Sequence, residues 1–250
     1  MRFIVFFSTL GFLTLTTTAA IKDGVMLITS DETAETEIRG VEALAYEAVP
    51  PASTFKVLLA WAGLNSGVWK SSDLIPASDR RIPGSPKRYS LKQALYYSSN
   101  EFFIPWSKKI GKERLTQYLN LSGIWEKEIE PSWLAGGWST VKSGGSLKVT
   151  PEQNHAWMMM VAKGDGLGMY RDQFKDFHDA LEWPCSDSEL RLFGKTGVWG
   201  GAVWFNGFGR SSEDKTTIVT VFLKGSLERR NEAISLFYDH FDQSPPDQNL

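Results

Sequence analysis

The sequence predicts an α+β protein: one antiparallel sheet formed by N- and C-terminal strands, flanked by helices. Three observations predict it. A strand-like run lies near the start, a helix-rich stretch fills the middle, and three strand-like runs with a helix close the chain. Strands divided between both ends are joined most simply in one antiparallel sheet, with the helices packed on its faces.

Each element has a local cause. Gly24 to Ser30 (GVMLITS) is rich in apolar and β-branched residues and reads as a strand; Asp31-Glu32 turns it, and Thr36 to Leu44 can pair back as a hairpin. Pro50-Pro51 ends that segment, and Ser53 to Asn65 (STFKVLLAWAGLN) then reads as a buried helix with prolines just before its start. Ser71 to Arg88 is loop-like in its Pro, Ser and Gly content. Leu91 to Lys109 is helical in character and expected to break at Pro105; Lys112 to Leu121 is an amphipathic helix. Glu130 to Ser146, rich in Trp, Gly and Ser, reads as an irregular loop. Thr150 caps a helix with Pro151 at its first position, and that helix carries Ala156 to Ala162. Leu190 to Val198, Ala202 to Phe208 and Thr216 to Leu223 read as strands, Glu228 to Phe241 as a closing helix, and Gln243 to Leu250 as a polar tail. There are no internal repeats and no low-complexity tract.

Composition excludes some classes of function. The 250 residues include 42% apolar side chains and ten Trp, enough for a sizeable core. A net charge of −2 argues against a nucleic-acid partner, which would require a basic surface. Cys185 is the single cysteine, so no intrachain disulfide can form; a lone Cys most often packs as a small hydrophobe. Residues 1–20 read as a secretory signal: Arg2, an apolar run from Phe3 to Leu15, then Thr18-Ala19-Ala20 for a signal peptidase. The run is shorter than the roughly 18 to 20 residues that span a bilayer, so no stable membrane anchor is expected. The mature chain is expected to be one domain, residues 21–250, in a secreted or periplasmic location.

Ser53 and Lys56 stand three apart at the start of the apolar helix. That spacing puts both on one face, where a lysine kept neutral by burial can take a hydroxyl proton. The helix start adds backbone donors suited to a developing oxyanion. The spacing recurs at Ser139/Lys142, in a Gly-rich loop, and at Ser212/Lys215, in a charged turn; only Ser53/Lys56 opens an apolar helix. Ser98-Ser99-Asn100 is the one Ser-x-Asn, and its hydroxyl and amide can face one side of a turn to relay a proton and hold a substrate carbonyl or amide. Lys195-Thr196-Gly197 lies on a strand-like run, where Lys and Thr can bind a carboxylate and Gly allows close backbone approach. Lys142-Ser143-Gly144 competes with it but lacks a strand signal. The ordered set Ser-x-x-Lys, Ser-x-Asn, Lys-Thr-Gly is far more specific than any one part.

Other clusters carry less. His155, His178 and His240 have no metal-ligand spacing, and no metal is expected. Trp157 with Met158 to Met160 reads as core, Gly164 to Gly168 as a turn, and Glu126 to Glu130 as a solvated face.

At these motifs the chain resembles the penicillin-recognising serine enzymes, and class D β-lactamases in particular. Pro51-Ala52-Ser53-Thr54-Phe55-Lys56 is similar to the class D nucleophile segment, and Leu91 to Asn100, Ile110-Gly111 with Tyr118-Leu119, Gly145 to Gln153 and Trp204 to Phe208 resemble its surroundings. The resemblance implies a serine β-lactamase/penicillin-binding transpeptidase-like fold. It implies Ser53 as nucleophile, Lys56 as base and Ser98 as proton relay. Asn100, Lys195, Thr196, Gly197 and Arg229 or Arg230 become substrate-binding residues. The oxyanion hole is implied at the N–H groups of Ser53 and of Val198 or Trp199. No separate cofactor is implied, but class D enzymes carry a CO2-derived carbamate on the lysine at Lys56, steadied by a Trp for which Trp133 is the first candidate and Trp138 the second. Asn100 departs from class D, where an apolar residue is usual, and Ser122-Gly123-Ile124 stands where class D has Tyr-Gly-Asn. Three functions follow as expectations: a hydrolysing β-lactamase, a peptidoglycan D,D-transpeptidase or carboxypeptidase, or a β-lactam sensor that stays acylated.

Overall fold

The computed structural model describes residues 21–77, 87–123 and 147–247. Six strands form one antiparallel sheet in the order β2-β1-β8-β7-β6-β5. They are β1 (Gly24–Ser30), β2 (Thr36–Gly40), β5 (Glu182–Trp183), β6 (Leu190–Trp199), β7 (Ala202–Ser211) and β8 (Thr216–Lys224). A separate two-stranded ribbon pairs β3 (Ile75–Pro76) with β4 (Arg88–Tyr89). β1 pairs with β8 from Gly24↔Leu223 to Ser30↔Thr217, so the expected joining of the chain's two ends is found.

Both faces of the sheet are covered. β1, β7 and β8 are therefore buried nearly throughout, not on alternate residues. One face carries α5 (Pro151–Lys163) and α6 (Arg171–Leu181), with α1 (Lys56–Asn65) behind them; the other carries α7 (Arg230–His240). On the α7 side, Val203, Phe205, Val219 and Val221 meet Ala233, Ile234 and Phe237. On the other, Trp204, Phe208, Ile218 and Phe222 join Trp61 and Trp157. Each such fully buried large side chain contributes about 1.5–3 kcal/mol. α1 is buried on all sides, as its uninterrupted apolar sequence requires.

The expected helix over 91–109 needs correction. It is two helices, α2 (Leu91–Tyr96) and α3 (Asn100–Ile110), and the break falls at Tyr97 to Ser99. Pro105 sits inside α3 without ending it. Pro105 and Glu101 both lie on the exposed face, where water can serve the carbonyl that the missing N–H leaves. α4 (Lys112–Leu121) follows as expected. α5 has its expected cap: Thr150 accepts from the Gln153 N–H at 3.0 Å, and the Gln153 side chain returns to the Thr150 N–H at 3.0 Å. α6 was not read from the sequence at all. Residues 41–44, expected to extend the hairpin, instead enter a 3-10 turn over Glu42–Tyr46.

A buried polar chain crosses the sheet. The Asn206 amide nitrogen donates to the Asn154 carbonyl at 2.8 Å, which fixes its oxygen as acceptor for the Thr220 hydroxyl at 2.6 Å. Having given its proton, Thr220 accepts from His155 Nδ1 at 2.9 Å, and Nε2 is left to accept from the Thr29 hydroxyl at 2.9 Å. These roles suit a neutral imidazole, and burial, which disfavours the charged form, holds its pKa down to about 4. His178 donates from Nε2 to the Val161 carbonyl at 2.8 Å and is likewise held down to about 4 by burial.

A pH dependence of stability follows. Unfolded histidines bind protons below about pH 6.5, whereas the folded ones resist until about 4. Their contribution is complete above pH 6.5 and lost as pH falls through that window, by about 3 kcal/mol for each histidine. Urea unfolding at pH 7.5 and pH 4.5 is expected to show the loss, and His178→Asn is expected to reduce the difference by about half.

Candidate active site

The turn that carries Ser53 is built by prolines and one strained residue. A 3-10 turn over Ala52–Phe55 runs directly into α1, so Ser53 lies one turn above Lys56. Ala52 has a positive φ of 50°, which a non-glycine residue holds at a cost of about 1–2 kcal/mol. Thr54 pins the turn from beneath: its hydroxyl donates to the Pro51 carbonyl at 2.6 Å and accepts from Asn154 Nδ2 at 3.3 Å. The polar chain that holds His155 therefore ends directly beside Ser53.

Ser98 sits at the other strained position. α2 closes with the Ser99 N–H bonded to the Ala94 carbonyl (2.9 Å) and the Ser98 N–H to the Leu95 carbonyl (3.1 Å). That double closure needs a left-handed residue, most often glycine, and Ser98 fills it at φ 55°. Ser99 then caps α3 by accepting from the Phe102 N–H at 3.2 Å. A serine kept where glycine is unstrained points to a task for its side chain.

That side chain reaches Lys56. Lys56 is 0% exposed, and its Nζ lies 3.0 Å from Ser98 Oγ, 2.5 Å from the Ser98 carbonyl and 2.8 Å from Asn100 Oδ1. The Phe103 ring centroid is 5.7 Å away. Two of the three oxygens only accept, a set suited to an amine that carries protons. The oxygens of a carbamate would face the Ser98 carbonyl unfavourably, although turning the Asn100 amide would offer them a donor.

β6 forms the opposite wall. A side-chain Cβ on Gly197 would lie 3.0 Å from Thr54 N and 3.1 Å from Ser53 N, so glycine lets the strand press against the turn that carries Ser53. The β6–β7 hairpin turns at Gly200 and Gly201, φ 59° and 83°, with Trp199 opposite Ala202. A two-residue turn with both φ positive makes Trp199 and Ala202 a hydrogen-bonded pair. By alternation the N–H and C=O of Gly194, Thr196 and Val198 point away from β7. Consistently, the Gly194 carbonyl receives the Trp183 indole N–H at 2.9 Å, and the Thr196 carbonyl receives Lys195 Nζ at 2.8 Å. Lys195 is 0% exposed, with Thr196 Oγ1 at 3.5 Å. Of the two implied oxyanion donors, Val198 is the one whose N–H faces the open edge of β6.

The arginines separate clearly. Arg229 is tied to Glu232 at 2.7 Å and 2.5 Å and to the Lys224 and Lys22 carbonyls at 2.6 Å and 3.0 Å. Arg230 is half-buried; burial lowers its pKa, and Tyr96, two residues before Ser98, partly offsets that. The sequence named both without choosing; in the structure Arg229 is held by Glu232, whereas the field of Tyr96 in α2 reaches Arg230. Trp133, Trp138 and the competing Lys142-Ser143-Gly144 lie outside the described residues, as do residues 1–20. Sequence reasoning missed Thr54, Asn154, Asn206 and Thr220 as supports of the nucleophile turn; they come from four separate elements and share no local pattern.

Comparison with known proteins bears on the family and the fold. Residues 22–167 match the family model described as the penicillin binding protein transpeptidase domain, and the chain belongs to that family. Solved structures that it resembles include class D β-lactamases. One is a "Class D beta-lactamase BAT-2 delta mutant": 21% identity, 90% of this chain and 93% of that one covered, TM-score 0.76. Another is the class D β-lactamase YbXI from Nostoc: 19% identity, 88% and 92% covered, TM-score 0.77. A third is FUS-1 (OXA-85) from Fusobacterium nucleatum subsp. polymorphum: 19% identity, 88% and 91% covered, TM-score 0.75. The fold is thus that of the serine β-lactamases and transpeptidases. No curated protein is matched by sequence. Among the described residues, no helix is long and apolar enough to cross a membrane.

Proposed function

We propose that this chain is an exported serine acyl enzyme that opens β-lactams and hydrolyses them in the manner of class D β-lactamases. The observation that carries the reading is the contact between buried Lys56 Nζ and Ser98 Oγ, 3.0 Å, directly below Ser53. Lys56 takes the Ser53 proton as Oγ bonds to the lactam carbonyl carbon. The oxyanion is met by the N–H groups of Ser53 and Val198. The carbon–nitrogen bond then breaks, and Ser98 passes the proton from Lys56 to the leaving nitrogen. Lys195, Thr196 and Arg230 receive the substrate carboxylate, and Asn100 receives its amide side chain. Water then attacks the acyl carbon and restores Ser53. Residues 1–20 direct the chain to the periplasm or outside.

The acceptors around Lys56 favour a second reading. With Asn100 Oδ1 at 2.8 Å and the Ser98 carbonyl at 2.5 Å, the amine is held as an amine, and deacylation without a carbamate is slow. The chain would then be a D,D-peptidase acting on peptidoglycan stems, or a sensor that stays acylated. A chromogenic cephalosporin separates the two readings. Fast turnover that rises severalfold with added bicarbonate supports hydrolysis and a carbamate on Lys56. A penicillin adduct that persists for hours, with or without bicarbonate, overturns it, and release of D-alanine from a stem peptide then selects the peptidase.

A further inference from the structure

Groups along β6 occur in a fixed order. Gly197 and Val198 stand at the nucleophile turn, and Lys195 and Thr196 come next at the carboxylate position. Beyond them the strand runs on to Arg191, four residues and about 13 Å from Lys195. A cavity of about 630 Å³ opens at that end, between α2 and the segment joining β5 to β6. Both of its walls continue from the site. On one wall Tyr97 precedes Ser98 in the chain. On the other, Trp183 donates its indole N–H to Gly194, the residue before Lys195.

The lining is aromatic with balanced charge. Tyr96 lies 5.0 Å from Trp183 and 5.4 Å from Tyr97, measured between ring centroids. Lys92 and Arg191 are each paired with Glu182, at 2.9 Å and 2.8 Å, so neither presents a lone cation. The half-exposed rings of Tyr96 and Tyr97, beside satisfied charges and backed by buried Trp183, favour a flat, uncharged group that can stack.

We propose that this cavity is a subsite for the ring-side substituent of a bound β-lactam, the group beside the carboxylate and opposite the amide side chain, and that it takes flat aromatic or heteroaromatic groups. The inference rests on the acyl-enzyme reading above: the order nucleophile, carboxylate site, cavity along β6 matches the order carbonyl, carboxylate, ring substituent in a cephalosporin. An arylvinyl group on the ring carbon next to the carboxylate reaches the cavity; a methyl group does not.

The test uses two cephalosporins that share an amide side chain and differ only there, arylvinyl against methyl. The expected result is acylation of Ser53 at least tenfold faster by the arylvinyl compound. Ser188→Trp, an exposed lining residue replaced by a bulky one, is expected to erase that preference and leave benzylpenicillin acylation unchanged. Cys185 also lines the cavity and is the chain's single cysteine, so a thiosulfonate reagent reports on this place alone. In the Ser53→Ala protein, saturating arylvinyl cephalosporin is expected to slow Cys185 labelling at least fivefold, and the methyl compound to leave it unchanged. Equal acylation rates for the two compounds, or Cys185 labelling indifferent to both, would overturn the subsite. If no β-lactam acylates Ser53 in the unaltered protein, the acyl-enzyme reading fails, and Cys185 protection still decides the subsite.

Discussion

Ser53→Ala is expected to abolish covalent labelling by penicillin, with a loss of at least about a thousandfold in acylation, the scale seen when a nucleophile is removed. Lys56→Ala is expected to lose a similar factor, because the two act as a unit and either deletion ends the same step. The two variants differ in stability. Ser53 is only half-buried at the surface of its turn, so its replacement leaves the fold intact. Lys56 is 0% exposed, and removing it strands the Ser98 carbonyl and Asn100 Oδ1, each an acceptor that loses its donor. A melting point lowered by several degrees in Lys56→Ala, and unchanged in Ser53→Ala, is the expected pattern. Mass spectrometry after penicillin treatment reads the first effect and thermal unfolding the second. Labelling that survives Ser53→Ala would place the nucleophile elsewhere.

Ser98 offers a comparison in which activity and stability part. Ser98→Ala and Ser98→Gly both remove the hydroxyl that lies 3.0 Å from Lys56 Nζ. Both are expected to slow acylation by about 10²–10⁴, the range for a positioned proton carrier. They differ in the backbone. At φ 55° alanine keeps the left-handed strain and glycine does not, so the usual order, alanine above glycine, is expected to reverse by about 1 kcal/mol. Chemical denaturation of the two variants measures this. If alanine proves the more stable, Ser98 is unstrained, and the case for a retained task loses its support.

These two residues also mark what the sequence made legible. Ser53, Lys56 and the Thr150-Pro151 cap were readable because each depends on neighbours within one helical turn. The strands from Leu190 onward were readable from their β-branched and aromatic runs between turn residues. The turn at Ser98 to Asn100 was legible as a turn but not as the end of the helix over 91–109, because the usual signal for that end is a glycine, and here a serine holds the left-handed position. Pro105 misled in the opposite sense: it lies on an exposed face, where water can serve the carbonyl that its missing N–H leaves, and the helix runs on through it. α6 went unread although Phe177, Ala180 and Leu181 bury one of its faces, because charged residues dominate its composition. The chain of hydrogen bonds from Thr54 to His155 joins four elements, and only the folded structure brings its members together.

The pairing of β1 with β8 sets a rule for how the molecule is made. β1 lies between β2 and β8, so until β8 is available it has a partner on one side alone. Ser53, Ser98 and Lys195 share the same dependence, since the wall that completes the site, β6, begins at Leu190. Such distant pairings form late, after most of the loop-closure entropy has been met. A ribosome-bound chain therefore holds neither a closed sheet nor an assembled site until its last quarter has emerged. Through most of its synthesis the chain stays unclosed and threadable, and that is the state the proposed export would require of it.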